Sequence, residues 1–275
     1  MENYTVKKVL NNNVIIANWQ EEDAILVGKG IGFNSKKGEV LPKDKIEKVY
    51  IKTTSKMSEN YNKVLNNIDN KIVGISEEII NFSEKALNTK LNEGVHISLP
   101  DHINFALRRI EKGINIENPF LEELGIIYPK EYEIAMKALY MINDRLKVNL
   151  PKDEAGFICL HIRAGITKQQ VSESLAYTKK ISKVMELISK LKGKPLDKNS
   201  LSYVRTLTHL NFMIERVKEN KTIKNELLNS IKEEMKSEFG IAIKVAMLIE
   251  KLFEIKIPED EIGYIALHLK RIGQY

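Results

Sequence analysis

Two hydrophobic periods divide the chain. From Tyr4 to Ile51, β-branched and other apolar residues gather in short runs at 4–10, 14–18, 24–28 and 49–51. Between them stand Asn11-Asn12-Asn13, Gln20-Glu21-Glu22-Asp23 and Ser35-Lys36-Lys37-Gly38. Polar and Gly/Asn clusters between β-branched runs predict hairpins. Residues 1–56 therefore read as a small antiparallel all-β domain, followed by a polar linker at 57–67. Beyond it the period lengthens. Ile72, Ile75, Ile79, Phe82 and Ala86 recur every three or four residues, which predicts an amphipathic helix. The same period predicts helices at 97–111, 121–124, 131–146, 153–164, 181–192, 201–218, 223–239, 241–253 and 259–272, with breaks at Gly113, Gly125 and Gly193.

The helical part is doubled. The stretch PKDEAGFICLH at 151–161 returns as PEDEIGYIALH at 258–268, identical at seven of eleven positions and offset by 107 residues. His102-Ile-Asn104-Phe105 returns at the same offset as His209-Leu-Asn211-Phe212. Such a repeat predicts two homologous all-α helical-bundle domains, at 68–170 and 171–275. Each holds two histidines 59 residues apart, so four of the five histidines occupy the doubled frame.

Composition narrows the class. The chain has 275 residues, 43% hydrophobic and 29% charged, as in a water-soluble globular protein. No apolar run reaches the roughly 20 residues of a bilayer span. The first residues, MENYTVKK, lack the apolar core of a signal peptide. The lone Cys159 has no intrachain disulfide partner, which with the other features predicts a cytoplasmic protein without membrane insertion. The net charge is +6. Residues 1–56 carry ten lysines against seven acids, an excess that permits a polyanionic partner. A β module of this size makes a thin core and is expected to pair with a second copy, burying one apolar sheet face.

Two places in the β module have chemistry suited to nucleic acid: Lys8 with Asn11, Asn12 and Asn13, and Gly28-Lys29-Gly30 followed by Phe33. Asn offers a donor and an acceptor to a base edge, Lys neutralises phosphate, and an exposed Phe stacks on an unpaired base. The structural alternative makes the asparagines a tight turn, Gly-Lys-Gly a bend and Phe33 a core residue. The four histidines also have more than one reading: hydrogen-bonded helix-edge residues, metal ligands, or acceptors of phosphate. No HExxH or CxxC spacing supports a metal, and none is expected. Phosphate on an imidazole adds about −1.5 to −2 charge, enough to reorganise a helix contact. His96 lies outside the doubled frame and is expected to be structural. Cys159 aligns with Ala266 and is expected to be buried.

With KVLNNNVI (8–15), GKGIGF (28–33), DHINF (101–105), DEAGFICLHI (153–162), THLNF (208–212) and DEIGYIALHL (260–269) in this order, the chain resembles the BglG/SacY/LicT family of transcriptional antiterminators. The resemblance spans essentially the whole chain. It implies that the β module is a co-antiterminator RNA-binding domain acting as a homodimer on an RNA hairpin in the leader of a sugar-utilisation operon. It implies RNA contacts at Lys8, Asn11, Asn13, Gly28, Lys29, Gly30 and Phe33. It implies phosphorylation at His102, His161, His209 and His268, with the phosphocarrier protein HPr and a sugar-specific enzyme II permease of the phosphotransferase system as donors. Phosphate on the first repeat, from the permease, is expected to inhibit, and on the second, from HPr, to activate. Lys29 stands where the family often has Arg, which keeps the charge and loses the planar fork. The protein is expected to be no enzyme, with no catalytic residue and no cofactor. A DNA-binding activator with the same regulatory domains is the alternative, but it needs a helix-turn-helix where 1–56 has strand periodicity.

Overall fold

The computed structural model describes residues 4–20, 22–51, 61 and 63–272. An antiparallel sheet comes first: β1 (Tyr4–Asn11), β2 (Val14–Trp19), β3 (Glu22–Val27), β4 (Val40–Leu41) and β5 (Lys48–Ile51). Their order across the sheet is β4-β1-β2-β3-β5. Helices follow: α1 (Asn70–Leu87), α2 (Val95–Glu111), α3 (Leu121–Ile127), α4 (Pro129–Leu146), α5 (Asp153–Thr167), α6 (Val171–Leu191), α7 (Leu201–Lys218), α8 (Leu228–Glu234), α9 (Lys236–Phe253) and α10 (Glu259–Arg271). A small antiparallel β part ahead of an all-α part is the architecture that the two periods predict.

Contacts divide the chain into two compact units. One comprises Met1–Pro119 with Lys130–Val171, the other Phe120–Pro129 with Ser172–Tyr275. In the first unit, the pairing of Ile15 with Leu26 and of Ala17 with Ala24 puts these residues on one sheet face. They join Tyr4, Val6, Ile31 and Leu41 in a buried cluster. The opposite face carries Val14, Ile16, Ile25 and Val27, all buried. It is covered by α1, which packs along β1, β2 and β3. This is the second apolar face of the module, and in the single chain it is α1 that shields it from water. Alternation thus gives a strand buried on both sides at β2, worth roughly 1.5–3 kcal/mol for each fully buried aliphatic side chain.

The helical part of the first unit packs α1 on α2 and α2 on α5. Glu77 of α1 is buried there between Tyr61, whose hydroxyl donates to it at 3.0 Å, and His96 Nδ1 at 2.7 Å. His96, the histidine outside the repeat, is thus a structural partner of a buried carboxylate. In the second unit α10 packs on α7, α8 and α9, and α3 packs on α7. Tyr203 donates to buried Glu123 of α3 at 2.8 Å, and Lys198 pairs with the same carboxylate at 2.9 Å.

Several element bounds differ from those the hydrophobic pattern predicts. The expected helix at 223–239 is two elements: α8 ends at Glu234, Met235 leaves helical geometry at φ −123° and ψ 42°, and α9 begins at Lys236. A single irregular residue is too short to interrupt an apolar period read over a window of many residues. Gly125, expected as a break, lies inside α3, whereas Gly113 and Gly193 do end helices, at φ +70° each. The first helix of the second repeat begins at Val171, ten residues before the expected start. Strand β4, two residues long, is too short to show alternation.

Candidate functional site

Residues of the sequence-predicted RNA face meet around the β1–β2 hairpin. Asn11 Oδ1 accepts the N–H of Asn13 at 2.8 Å, and Asn13 Oδ1 accepts the N–H of Gly30 at 2.8 Å. The asparagines therefore form the turn and also tie it to the glycine loop, so the structural alternative for them holds alongside any recognition role. Gly28 is buried, and a Cβ there would lie 2.0 Å from the Lys45 carbonyl oxygen. Its lack of a side chain serves the module's own packing. Gly30 has φ +68° with open space beside it, a left-handed position that favours glycine. Lys29 is exposed, and its N–H donates to Glu47 at 3.1 Å. Phe33 is 65% exposed. It is no core residue, and an exposed aromatic of this size is available for stacking.

The remaining amide donors of this face are already engaged. Asn11 Nδ2 donates to Glu78 Oε1 at 2.7 Å and Asn13 Nδ2 to Glu78 Oε2 at 2.9 Å. Lys8 Nζ donates to the Leu65 carbonyl at 3.4 Å. Glu78 lies one turn along α1 from Gly74, on the same face, and a Cβ at Gly74 would come within 2.5 Å of Asn11 Nδ2. The small residue at 74 lets the helix approach closely enough for the carboxylate to bridge both asparagines.

Each helical repeat brings its two histidines together. In the first, the rings of His102 and His161 lie 5.0 Å apart, with Phe157 5.7 Å from His102. His102 Nε2 is 3.0 Å from Glu154 Oε2, but the two are misaligned, so both buried atoms lack a proper hydrogen bond. Arg109 donates to the other oxygen of Glu154 at 2.6 Å. Ser98 Oγ is 3.1 Å from His161 Nδ1. Burial, reinforced by His102, pushes the His161 pKa down to about 3.

The second repeat copies this frame. His209 and His268 stack at 4.3 Å, with Tyr264 6.1 Å from His209. Arg216 makes a bidentate pair with buried Glu261, both bonds at 2.9 Å. Burial holds Glu261 above the usual carboxylate range even so. Burial, then His268 and Arg216, bring the His209 pKa down to about 4. His209 Nε2 is buried without a hydrogen-bond partner. The pKa of His268 is also lowered, by burial and then by Arg271 and Arg205. All three depressed histidines are neutral near pH 7, with a ring-nitrogen lone pair free of a proton.

The paired Arg109–Glu154 and Arg216–Glu261 bridges did not emerge from the motifs. The signal was present: both arginines and both glutamates sit on the 107-residue offset. The same holds for Asn118 and Asn225, whose N–H groups donate to Asp153 at 2.6 Å and Asp260 at 2.9 Å. Cys159 is fully buried, and burial pushes its thiol pKa up. Among the described residues no three His, Cys, Asp or Glu side chains converge as metal ligands, and no helix is long and apolar enough to cross a membrane.

Comparison with known proteins joins these observations. Residues 4–59 match the CAT RNA binding domain, and residues 77–165 and 182–272 each match the PRD domain. The transcription antiterminator LicT of Bacillus subtilis (strain 168) is 33% identical over 271 residues, covering 97% of this chain and 98% of that protein. The chain belongs to this family of transcription antiterminators. The PtsGHI operon antiterminator of the same organism is 36% identical over 272 residues, covering 98% of this chain and 97% of the relative. Among solved structures, the crystal structure of GlcT CAT-PRDI is 42% identical, with a TM-score of 0.51, and covers 60% of this chain and 99% of that one. The antiterminator thus carries an RNA-binding module and two PRD domains in that order, each PRD match enclosing one histidine pair.

Proposed function

We propose that this antiterminator binds, as a homodimer, an RNA hairpin in the leader of a sugar-utilisation operon. The bound hairpin excludes the terminator fold, and polymerase reads through. Lys8, Asn11, Asn13, Gly28, Lys29, Gly30 and Phe33 form the RNA face, reading unpaired bases and phosphates because the deep groove of A-form RNA is closed to side chains. If the homodimer forms through the sheet face that α1 covers, α1 must first leave it. That movement also releases Asn11 and Asn13 from Glu78.

His102, His161, His209 and His268 are phosphoacceptors, supplied by HPr and by a sugar-specific enzyme II. A ring nitrogen attacks the phosphorus of the donor. The new N–P bond forms as the donor's bond to phosphorus breaks, the electron pair of the broken bond stays with the donor, and the displaced proton leaves through water. Phosphate on the first repeat inhibits and on the second activates. The protein makes and breaks no bond in RNA and acts as a regulator, not an enzyme. The carrying observation is the doubled histidine pair, 5.0 and 4.3 Å between rings, behind a module with an exposed lysine and phenylalanine at its rim.

A mobility-shift assay with the full chain tests this, using leader RNA of the adjacent operon against duplex DNA of the same sequence. Retardation of the RNA alone, weakening with salt, is expected. Retention of the duplex in preference to the RNA would overturn the proposal in favour of a DNA-binding activator.

A further inference from the structure

The two histidine pairs are not equivalent surroundings for a phosphoryl group. Beside His268 lies a cavity of about 460 Å³, lined by Ser200, Leu201, Ser202, Arg205, Thr206 and Arg271 with His268 itself. Arg205 and Arg271 are exposed, and among the described residues neither forms an ion pair. Both add to burial, the larger cause, in lowering the His268 pKa. The first turn of α7 also lines it, and there the Ser200 side chain caps the N–H of Tyr203 at 3.2 Å. Ser200, Leu201 and Ser202 of that turn line the cavity together with the two arginines.

The first repeat has none of these cations. Shifted by 107 residues, Arg205 becomes Ser98, Arg271 becomes Ala164 and Ser200 becomes Glu93. Ser98 turns its hydroxyl to His161 Nδ1 at 3.1 Å, and His161 is 9% exposed. The cations at the second site are thus replaced by neutral side chains at the first, and a neutral cap by an acid.

We propose that the cavity at His268 is a phosphoryl cradle in which Arg205 and Arg271 receive the oxygens of a phosphate carried on His268, a device that the first repeat lacks. The inference rests on His268 being a phosphoacceptor. In the step, a ring nitrogen of His268 attacks the phosphorus of a phosphohistidine carrier protein. The N–P bond to His268 forms as the carrier's N–P bond breaks, and the electron pair returns to the carrier's ring. The proton displaced from His268 passes through water to that ring. Arginine suits the task because its planar fork binds two phosphate oxygens at once. A dianion formed there meets two positive charges, which shifts the transfer equilibrium toward His268. At buried His161 the two equivalent positions offer the hydroxyl of Ser98 and the methyl of Ala164 in place of the arginines.

The test uses the full chain, phosphorylated HPr as donor, and quantitative mass spectrometry of each histidine at transfer equilibrium. The wild type under the same conditions is the reference. The variant Arg205→Ser/Arg271→Ala installs the residues of the first repeat, and Arg205→Lys/Arg271→Lys tests rescue. Each arginine lost should lower the phosphorylated fraction at His268 relative to the wild type roughly tenfold, with an unchanged unfolding midpoint and partial recovery in the lysine variant. Labelling of His268 to the same equilibrium in the Ser/Ala variant overturns the cradle and leaves the phosphoacceptor reading intact. Absence of label on any histidine of the wild type overturns that reading and the covalent form of the cradle together. In a second arm, inorganic phosphate is titrated into the unlabelled protein while the His268 ring resonances are followed. Shifts in the wild type that vanish in the Ser/Ala variant show that the cavity takes a phosphoryl anion. If they occur where no histidine is labelled, the anion comes from free phosphate, not from His268. Absence of shifts in the wild type, together with unchanged labelling in the Ser/Ala variant, overturns the cradle from either source.

Discussion

Asn13 spends both ends of its side-chain amide within the fold: its oxygen accepts the Gly30 N–H at 2.8 Å and its nitrogen donates to Glu78 at 2.9 Å. The first bond lies inside the β module, whereas the second reaches across to α1. RNA that uses the Asn13 nitrogen must displace a carboxylate, and a carboxylate also repels phosphate. The Asn13–Glu78 contact is therefore competitive with the proposed RNA face.

Glu78→Ala tests the competition. Removing the carboxylate frees Asn11 and Asn13, and RNA affinity of the full chain should rise by about tenfold, the scale of one or two hydrogen bonds. Fluorescence anisotropy with the leader hairpin reads the change. An unaltered affinity would show that α1 leaves the face at no cost.

Asn13→Ala separates structure from recognition in the opposite sense. It leaves the Gly30 N–H without its acceptor and one Glu78 oxygen without a donor. The expected loss is about 1–3 kcal/mol of stability, measured by chemical unfolding, with weaker RNA binding. Phe33→Ala, by contrast, removes an exposed ring. Stability should stay within about 0.5 kcal/mol, while the loss of stacking costs about 1–3 kcal/mol of RNA binding.

Arg109→Met leaves the Glu154 carboxylate buried beside His102. Only 3% of that side chain is exposed, so little water reaches it to compensate. A destabilisation of roughly 3–5 kcal/mol is expected, visible as a lower unfolding midpoint. A double variant, Arg109→Met with Glu154→Leu, should recover much of the loss, because the unpaired charge is gone.

Acid should weaken the fold through the paired histidines. With folded pKa values of about 3 for His161 and about 4 for His209 against an unfolded value near 6.5, the unfolded chain binds more protons between those limits. Stability from these rings is present above the unfolded value and is lost as pH falls through the window toward their folded values. His96 has the opposite sign. Its pKa is raised against burial by Glu77, so its contribution is full below the unfolded value and is lost as pH rises through the raised one. Replacing His161 by Gln should flatten the acid limb of an unfolding-midpoint profile between pH 6.5 and 4; an unchanged limb would assign it to other groups.

The one-dimensional pattern carried a large share of the architecture. β2 and β3 are legible from Val14 to Val27 because apolar runs between polar turns leave few other pairings. The repeat is legible because one offset holds for His102 and His209, for His161 and His268, and for Arg109 and Arg216. The break at Met235 and the strand at Val40 escape periodicity, since one or two residues cannot define a period.

The order of β module and doubled bundle, and the placing of two histidines in each bundle, follow from the sequence, because local propensity and an internal repeat act over short or equal distances along the chain. Packing alone decided that Glu78 closes on Asn11 and Asn13 from 65 and more residues away. Packing also decided that Arg205 and Arg271 share one cavity with His268, while Ser98 meets His161. Such partners are fixed by which helix faces come together in three dimensions, and that choice is the sum of many weak burials spread over the chain.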